Sequence, residues 1–171
     1  MSRLFSTLLC ALSLAVLLGG CGYKIGFTKH PQLDSIAVAP VINETEIYNA
    51  ASDMRMMMCE AIMKDGTYKL GDLRRADAIL YITVSNIAFG EANRATVKDQ
   101  LEYRPEEWRV WMTVHYRLII PGRGKPLLQG KKESFIRFQA GADVESGRLR
   151  AVRQAAYEVA KKITTSVAEG W

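Results

Sequence analysis

Three cysteines, two histidines and 18 carboxylates are the reactive groups of this 171-residue chain. Few of them are spaced for chemistry. Cys10, Cys21 and Cys59 form no CxxC pair, which excludes a zinc ribbon or a thioredoxin-like motif. Gly122-Arg123-Gly124-Lys125 has half of a phosphate-loop signature, but Pro121 and Pro126 flank it and no helix pattern follows, so it is a turn between strands. Glu106 and Glu107 are adjacent and point to opposite sides of an extended chain, which does not make an acid–base pair. His115 stands between Thr113 and Arg117 with no Ser, Cys or Asp at an informative distance. Asn43-Glu44-Thr45 has the form of a glycosylation sequon and equally of helix-capping chemistry. No nucleophile–base constellation and no metal-ligand cluster emerges. The chain is expected to bind or assemble, not to catalyse, with no cofactor and no metal.

One cysteine is placed for covalent modification. Arg3 is followed by Leu4–Leu18 without a charged side chain, and then by Leu18-Gly19-Gly20-Cys21. A basic start, an apolar stretch and small residues before a cut are the parts of an export signal. The stretch is 15 residues long, short of the ~20 a membrane-spanning helix needs. Cys21 after two glycines resembles the bacterial lipobox, in which the cysteine is acylated and becomes the first residue. Residues 1–20 are then a removed signal peptide, and Cys21 is a lipid anchor to the membrane. Cleavage also removes Cys10, leaving Cys59 as the lone thiol. Gly22, where an Asp would favour inner-membrane retention, points to the cell outer membrane on its periplasmic side. The formal charge of +5 suggests an acidic partner; export makes nucleic acid an unsuitable one. A hydrophobic share of 49% with 24% charged residues excludes a disordered or low-complexity chain.

The elements that would position any site follow from periodicity. Residues 21–33 form a short tether, and residues 34–171 one domain. Ser35–Val41 is a strand. Ile47–Lys64 is a helix, with Ile47, Ala51, Met54, Met58, Ala61 and Ile62 at steps of three and four, and Asp65-Gly66 ends it. Tyr68–Leu70 is a short strand. Residues 78–89 alternate, Leu80, Ile82 and Val84 against Tyr81, Thr83 and Ser85, and residues 90–104 form a long polar connection. Trp108–Ile120 and Leu127–Phe138 are further strands around the Pro121–Pro126 turn. Val144–Glu169 is a long helix with Leu149, Val152, Ala156, Val159, Ala160, Ile163 and Val167 on its apolar stripe. The order β-α-β-β-β-β-α predicts an α+β fold, two helices packed on one face of a mixed four- or five-stranded sheet. The other sheet face meets solvent or a partner.

Three surfaces carry candidate contacts. The Trp108–Ile119 strand turns Arg109, Trp111, Thr113, His115 and Arg117 away from the side of Val110, Met112 and Val114. Arg and aromatic residues suit recognition; an ordinary wet sheet face is the alternative. Lys131, Lys132 and Arg137 on the next strand extend this into a cationic sheet face for phosphate groups, or a merely solubilising charge run. On the first helix, Met56, Cys59 and Met63 lie opposite the core-facing Met54 and Met58. An outer face so apolar suits an adaptable protein contact. Scattered surface apolar residues, or a soft Cu(I) site of thioethers and a thiol, would use the same residues.

Taken together, Cys21-Gly22-Tyr23, the run Ile36–Thr45, Asp65–Leu70, Ala76–Val84, Glu102-Tyr103-Arg104, the Trp108–Ile119 strand, the glycine turn and the terminal helix resemble the lipopolysaccharide-assembly lipoprotein LptE family over essentially the whole mature chain. The resemblance implies an outer-membrane lipoprotein with two helices on a mixed sheet. It implies a place inside the lumen of an LptD-like outer-membrane β-barrel, where such proteins assist delivery of lipopolysaccharide to the surface. Length and charge in Glu91–Glu107 depart from the family. A strand ending in Pro-x-x-Asn-x-Thr before a helix also resembles periplasmic lipoprotein regulators of peptidoglycan synthases and curli-secretion-like domains. Those need a long linker, and only a dozen or so residues separate Cys21 from the first strand, roughly 40 Å at full extension.

Overall fold

The computed structural model describes residues 29–91, 107–139 and 143–170. The expected signal peptide, Cys21 and most of the long connection lie outside the described residues. The chain runs β1 (Ser35–Val38), β2 (Ile42–Asn43), α1 (Ala50–Asp65), β3 (Lys69–Leu70), β4 (Ala78–Glu91), β5 (Glu107–Ile119), β6 (Leu128–Gln139) and α2 (Val144–Glu169). The predicted order and fold class hold. The strands form one mixed sheet in the order β3-β1-β4-β5-β6, with β2 also alongside β4. β1, β2 and β3 pair in parallel, while β4, β5 and β6 are antiparallel.

Six strands arise where four or five were expected because Pro40 divides the first. Val38 is opposite Leu80, but Ile42 is opposite Thr83, so this edge holds one extra residue. Proline has no N–H for the ladder, which confines it to such interruptions. A second irregularity lies in β4. Val84 pairs with Val114 and Asn86 with Thr113, leaving Ser85 as a bulge whose Oγ donates to the Thr113 carbonyl at 3.2 Å. A bulge reverses the alternation beyond it. Ile87 and Phe89 therefore join the core side, and Asn86, Ala88 and Gly90 move to the opposite face.

α1 begins at Ala50, three residues after the expected start. Asn43 Nδ2 donates to the Ile47 carbonyl at 2.8 Å, and Asn43 Oδ1 accepts from the Thr45 N–H and hydroxyl. These side chains hold the entering loop and do not cap the helix. Gly66 ends α1 as predicted, at φ 72°, with its N–H on the Ile62 carbonyl. Such left-handed C-caps suit glycine. Gly122, at φ 84°, serves the β5–β6 turn. Asp143 caps α2 by accepting from the Ser146 N–H at 3.1 Å.

Both helices lie against one sheet face. Met54, Met58 and Ile62 of α1 and Val152, Val159 and Ile163 of α2 pack on Leu80, Ile82, Val84, Val110, Met112, Val114 and Leu118. Ala151, Ala155, Ala156 and Ala160 are buried along α2, and their small side chains allow close approach to sheet and partner helix. Two residues depart from expectation. Leu33, assigned to the tether, is in the core, so the domain begins before residue 34. Leu149, assigned to the apolar stripe, is exposed at the first turns of α2.

Candidate functional site: the uncovered sheet face

The sheet face away from the helices is built in ranks across β4, β5 and β6. The register places Gly90, Arg109 and Arg137 side by side, then Ala88, Trp111 and Phe135, and then Asn86, Thr113 and Glu133. Beyond the bulge come Thr83, His115 and Lys131, followed by Tyr81, Arg117 and Gln129. An aromatic rank thus crosses the sheet between two basic regions. Its members stand well out of the surface, Trp111 at 40% and Phe135 at 60% exposure.

The sheet brings together six of the seven candidate residues expected on this face: Arg109, Trp111, His115, Arg117, Lys131 and Arg137. Lys132 is a correction. It is opposite Val114, a fully buried core residue, so it points to the helix side, as the two-residue period requires of the neighbour of Lys131. Phe135 was missed, although the same alternation puts it with Lys131 and Arg137. Gly90 joins the face only through the Ser85 bulge, which leaves no periodic trace in the sequence.

The face is only partly free to bind anions. Lys131 Nζ lies 2.6 Å from Glu133 Oε1, and Arg137 lies 3.8 Å from Glu107. The Lys131 hydrogen bond and charge lower the Glu133 pKa. Arg109 and Arg117 form no ion pair among the described residues, and Arg109 Nε is buried without a hydrogen-bond partner among them. Where Pro40 interrupts the edge, an open hollow of about 390 Å³ lies between Pro40, Ile42, Tyr81, Thr83, His115 and Arg117. A cation, an imidazole, a phenol and a hydroxyl there can meet a polar anionic group, and the aromatic rank beside them can meet an apolar or ring-shaped one.

The outer side of α1 is less uniform than its sequence suggests. Met56 and Met63 are 48% and 62% exposed. Cys59 is half-buried and packs against the core, so it does not complete an outward trio. Burial raises its thiol pKa, with Arg55 opposing the shift. Among the described residues, no group of three or more His, Cys, Asp or Glu is placed to hold a metal.

No protein-family model matches this sequence, and no curated protein matches it. Solved structures share the fold. A candidate lipoprotein from Caulobacter crescentus CB15 is 15% identical with a TM-score of 0.51, over 75% of this chain and 88% of that one. The minor lipoprotein from Acinetobacter baumannii is 10% identical with a TM-score of 0.51, over 80% and 93%. The PelC dodecamer from Paraburkholderia phytofirmans is 12% identical with a TM-score of 0.51, over 84% and 93%. The α+β architecture of this chain is thus one that bacterial lipoproteins also adopt.

Proposed function

We propose that this chain is a bacterial envelope lipoprotein, acylated at Cys21 and held on the periplasmic side of the outer membrane, that acts as an LptE-like component of lipopolysaccharide assembly. In this reading the outer side of α1 docks against the inner wall of an LptD-like β-barrel, and the uncovered sheet face meets lipopolysaccharide. The observation that carries the reading is the Ala88–Trp111–Phe135 rank set between Arg109 and the His115–Arg117 region. Lipid A has phosphates and apolar chains, and this face sets Arg109 and Arg117, which form no ion pair among the described residues, beside exposed aromatic surface. The lipobox, the export signal and a fold shared with bacterial lipoproteins support an envelope location.

The test is affinity purification of the acylated protein from outer membranes, with identification of its companions. A large β-barrel is the expected companion; a peptidoglycan synthase would replace this reading by the regulator one. Alongside it, Arg109→Glu with Arg117→Glu should weaken lipopolysaccharide binding while circular dichroism stays unchanged. Each well-formed charge-assisted bond contributes ~1.5–3 kcal/mol, with a salt-sensitive share where the groups are exposed. Unchanged binding by the double variant would remove both residues from the site.

A further inference from the structure

On the helix layer, away from the sheet face, α1 and α2 leave an open groove of about 400 Å³ lined by Met57, Glu60, Lys64, Arg150, Arg153, Gln154 and Tyr157. Two of its donors, Arg153 and Lys64, are held by neighbours. Arg153 Nε donates to Asp53 Oδ1 at 3.1 Å; the Asp53 side chain is 9% exposed and that of Arg153 58%. The buried carboxylate restrains the guanidinium through one nitrogen, and its two terminal nitrogens have no hydrogen bond among the described residues. Lys64 is held by Glu60 at 2.7 Å and by the Tyr157 hydroxyl at 3.3 Å, with its ammonium 5.0 Å from the ring centroid. Arg150, one turn before Arg153, forms no ion pair among the described residues. Both acids at the groove, Glu60 and Asp53, are therefore already paired, and against them stand three cations, Lys64, Arg150 and Arg153.

We infer that this interhelical groove binds a phosphate group, with Arg153 and Arg150 as its principal donors and Lys64 and Gln154 flanking them. The guanidinium fork matches phosphate oxygens in pairs. Met57 and the ring of Tyr157 give the lining an apolar part, while Lys64, Arg150 and Arg153 supply the charge that suits the phosphate of a head group. Free phosphate esters and phospholipid head groups share this chemistry. The site does not depend on the sheet-face reading, since the two lie on opposite sides of the sheet.

The acylated full-length protein in detergent is titrated with inorganic phosphate, glycerol 3-phosphate and monomeric dihexanoylphosphatidylglycerol, with binding read by calorimetry. Binding of all three identifies the phosphate group itself as sufficient; binding of the lipid alone identifies the head group as the source. Arg150→Gln removes no ion pair among the described residues and should weaken binding about tenfold or more. Lys125→Gln makes the same charge change on the β5–β6 turn and should leave affinity unchanged. Asp53→Asn adds net positive charge but releases Arg153; weaker binding shows that orientation matters, with circular dichroism confirming the fold. The inference is overturned if no probe binds at millimolar concentration, if Arg150→Gln and Lys125→Gln behave alike, or if Asp53→Asn binds as tightly as the parent or more so.

Discussion

The indole of Trp111 rests on Gly90: a β-carbon built at residue 90 would lie 2.8 Å from Cζ3 and 3.0 Å from Cη2 of that ring. The absent side chain lets the indole lie across the sheet toward β4, and with Phe135 it forms a broad apolar surface. Gly90→Val should push the ring outward. Because Trp111 is partly exposed it can swing away, so the stability cost should be about 1 kcal/mol, the low end for overpacking. The clearer effect should be optical. The Trp111 contribution to fluorescence, obtained by subtracting a Trp111→Phe baseline, should shift to the red as the ring enters water. An unshifted contribution would mean that Gly90 does not set the ring's position.

Asp77 joins the start of β4 to β1. Its Oδ2 accepts from the backbone N–H of Asp34 at 3.0 Å and of Ser35 at 2.9 Å, and from the Ser35 hydroxyl at 2.9 Å. The Asp34 N–H is the largest cause of a pKa lowered from the ordinary 3.8, followed by the Ser35 hydroxyl. A carboxyl depressed in the folded state adds stability above its unfolded pKa, and that contribution is lost as pH falls through the folded value. Asp77→Asn should therefore unfold at lower urea than the parent at neutral pH. The gap should close as acid protonates the parent's carboxyl below its ordinary range. Parallel urea midpoints across that range would show that the Asp77 charge is not what links these strands.

The same region shows which parts of the fold could be read from the chain. Strict alternation along β5 placed every side chain from Trp108 to Leu118 on its observed face, and α2 has the predicted bounds, because long periodic segments average out local exceptions. Where one residue breaks the period, the reading failed. The Ser85 bulge is decided by pairing with β5, which β4 alone does not encode, whereas Pro40 marks its own interruption by lacking an N–H. The start of α1 was misplaced because Asn43 and Thr45 can bind loop backbone as readily as cap a helix. Arg109, Trp111, His115 and Arg117 were legible as a group from one strand. Their union with Phe135 and Gly90 required the register, and the Asp53–Arg153 pair required the helix packing.

Lys162 reaches from α2 to the free edge of β6, where its ammonium donates to the Glu133 carbonyl at 2.7 Å. β6 pairs only with β5 among the described strands, and an open edge is a template for pairing with another chain. Lys132, turned toward the helix side, is the inward-pointing charge that also discourages such pairing. Lys162→Ala should free the Glu133 carbonyl at a cost of at most ~1 kcal/mol, since the contact is exposed. It should raise concentration-dependent self-association in sedimentation velocity relative to the parent. Equal association by both proteins would mean that Lys162 contributes nothing to protecting the edge.

Met56 and Met63 are two turns apart on the exposed side of α1, which tests whether that side is wet or enclosed. If it is a wet surface, Met56→Lys and Met63→Glu should each change stability by at most ~0.5 kcal/mol and leave companions unaffected. If a barrel wall covers it, as the proposed function requires, an unpaired charge there loses its water at a cost of several kcal/mol. The domain alone should then fold normally while the barrel no longer co-purifies. Cys59 gives a second readout from the flank of the same helix. Burial raises its thiol pKa above the ordinary 9.0, so the reactive thiolate is scarcer at neutral pH than for an exposed cysteine. Maleimide labelling of the free domain should be slow and should accelerate as pH rises toward that range. Enclosure should slow it further at any given pH. Normal co-purification of both methionine variants, with equal Cys59 labelling rates in the free and complexed protein, would exclude this side of α1 as the docking surface and leave the sheet face as the only contact in the proposal.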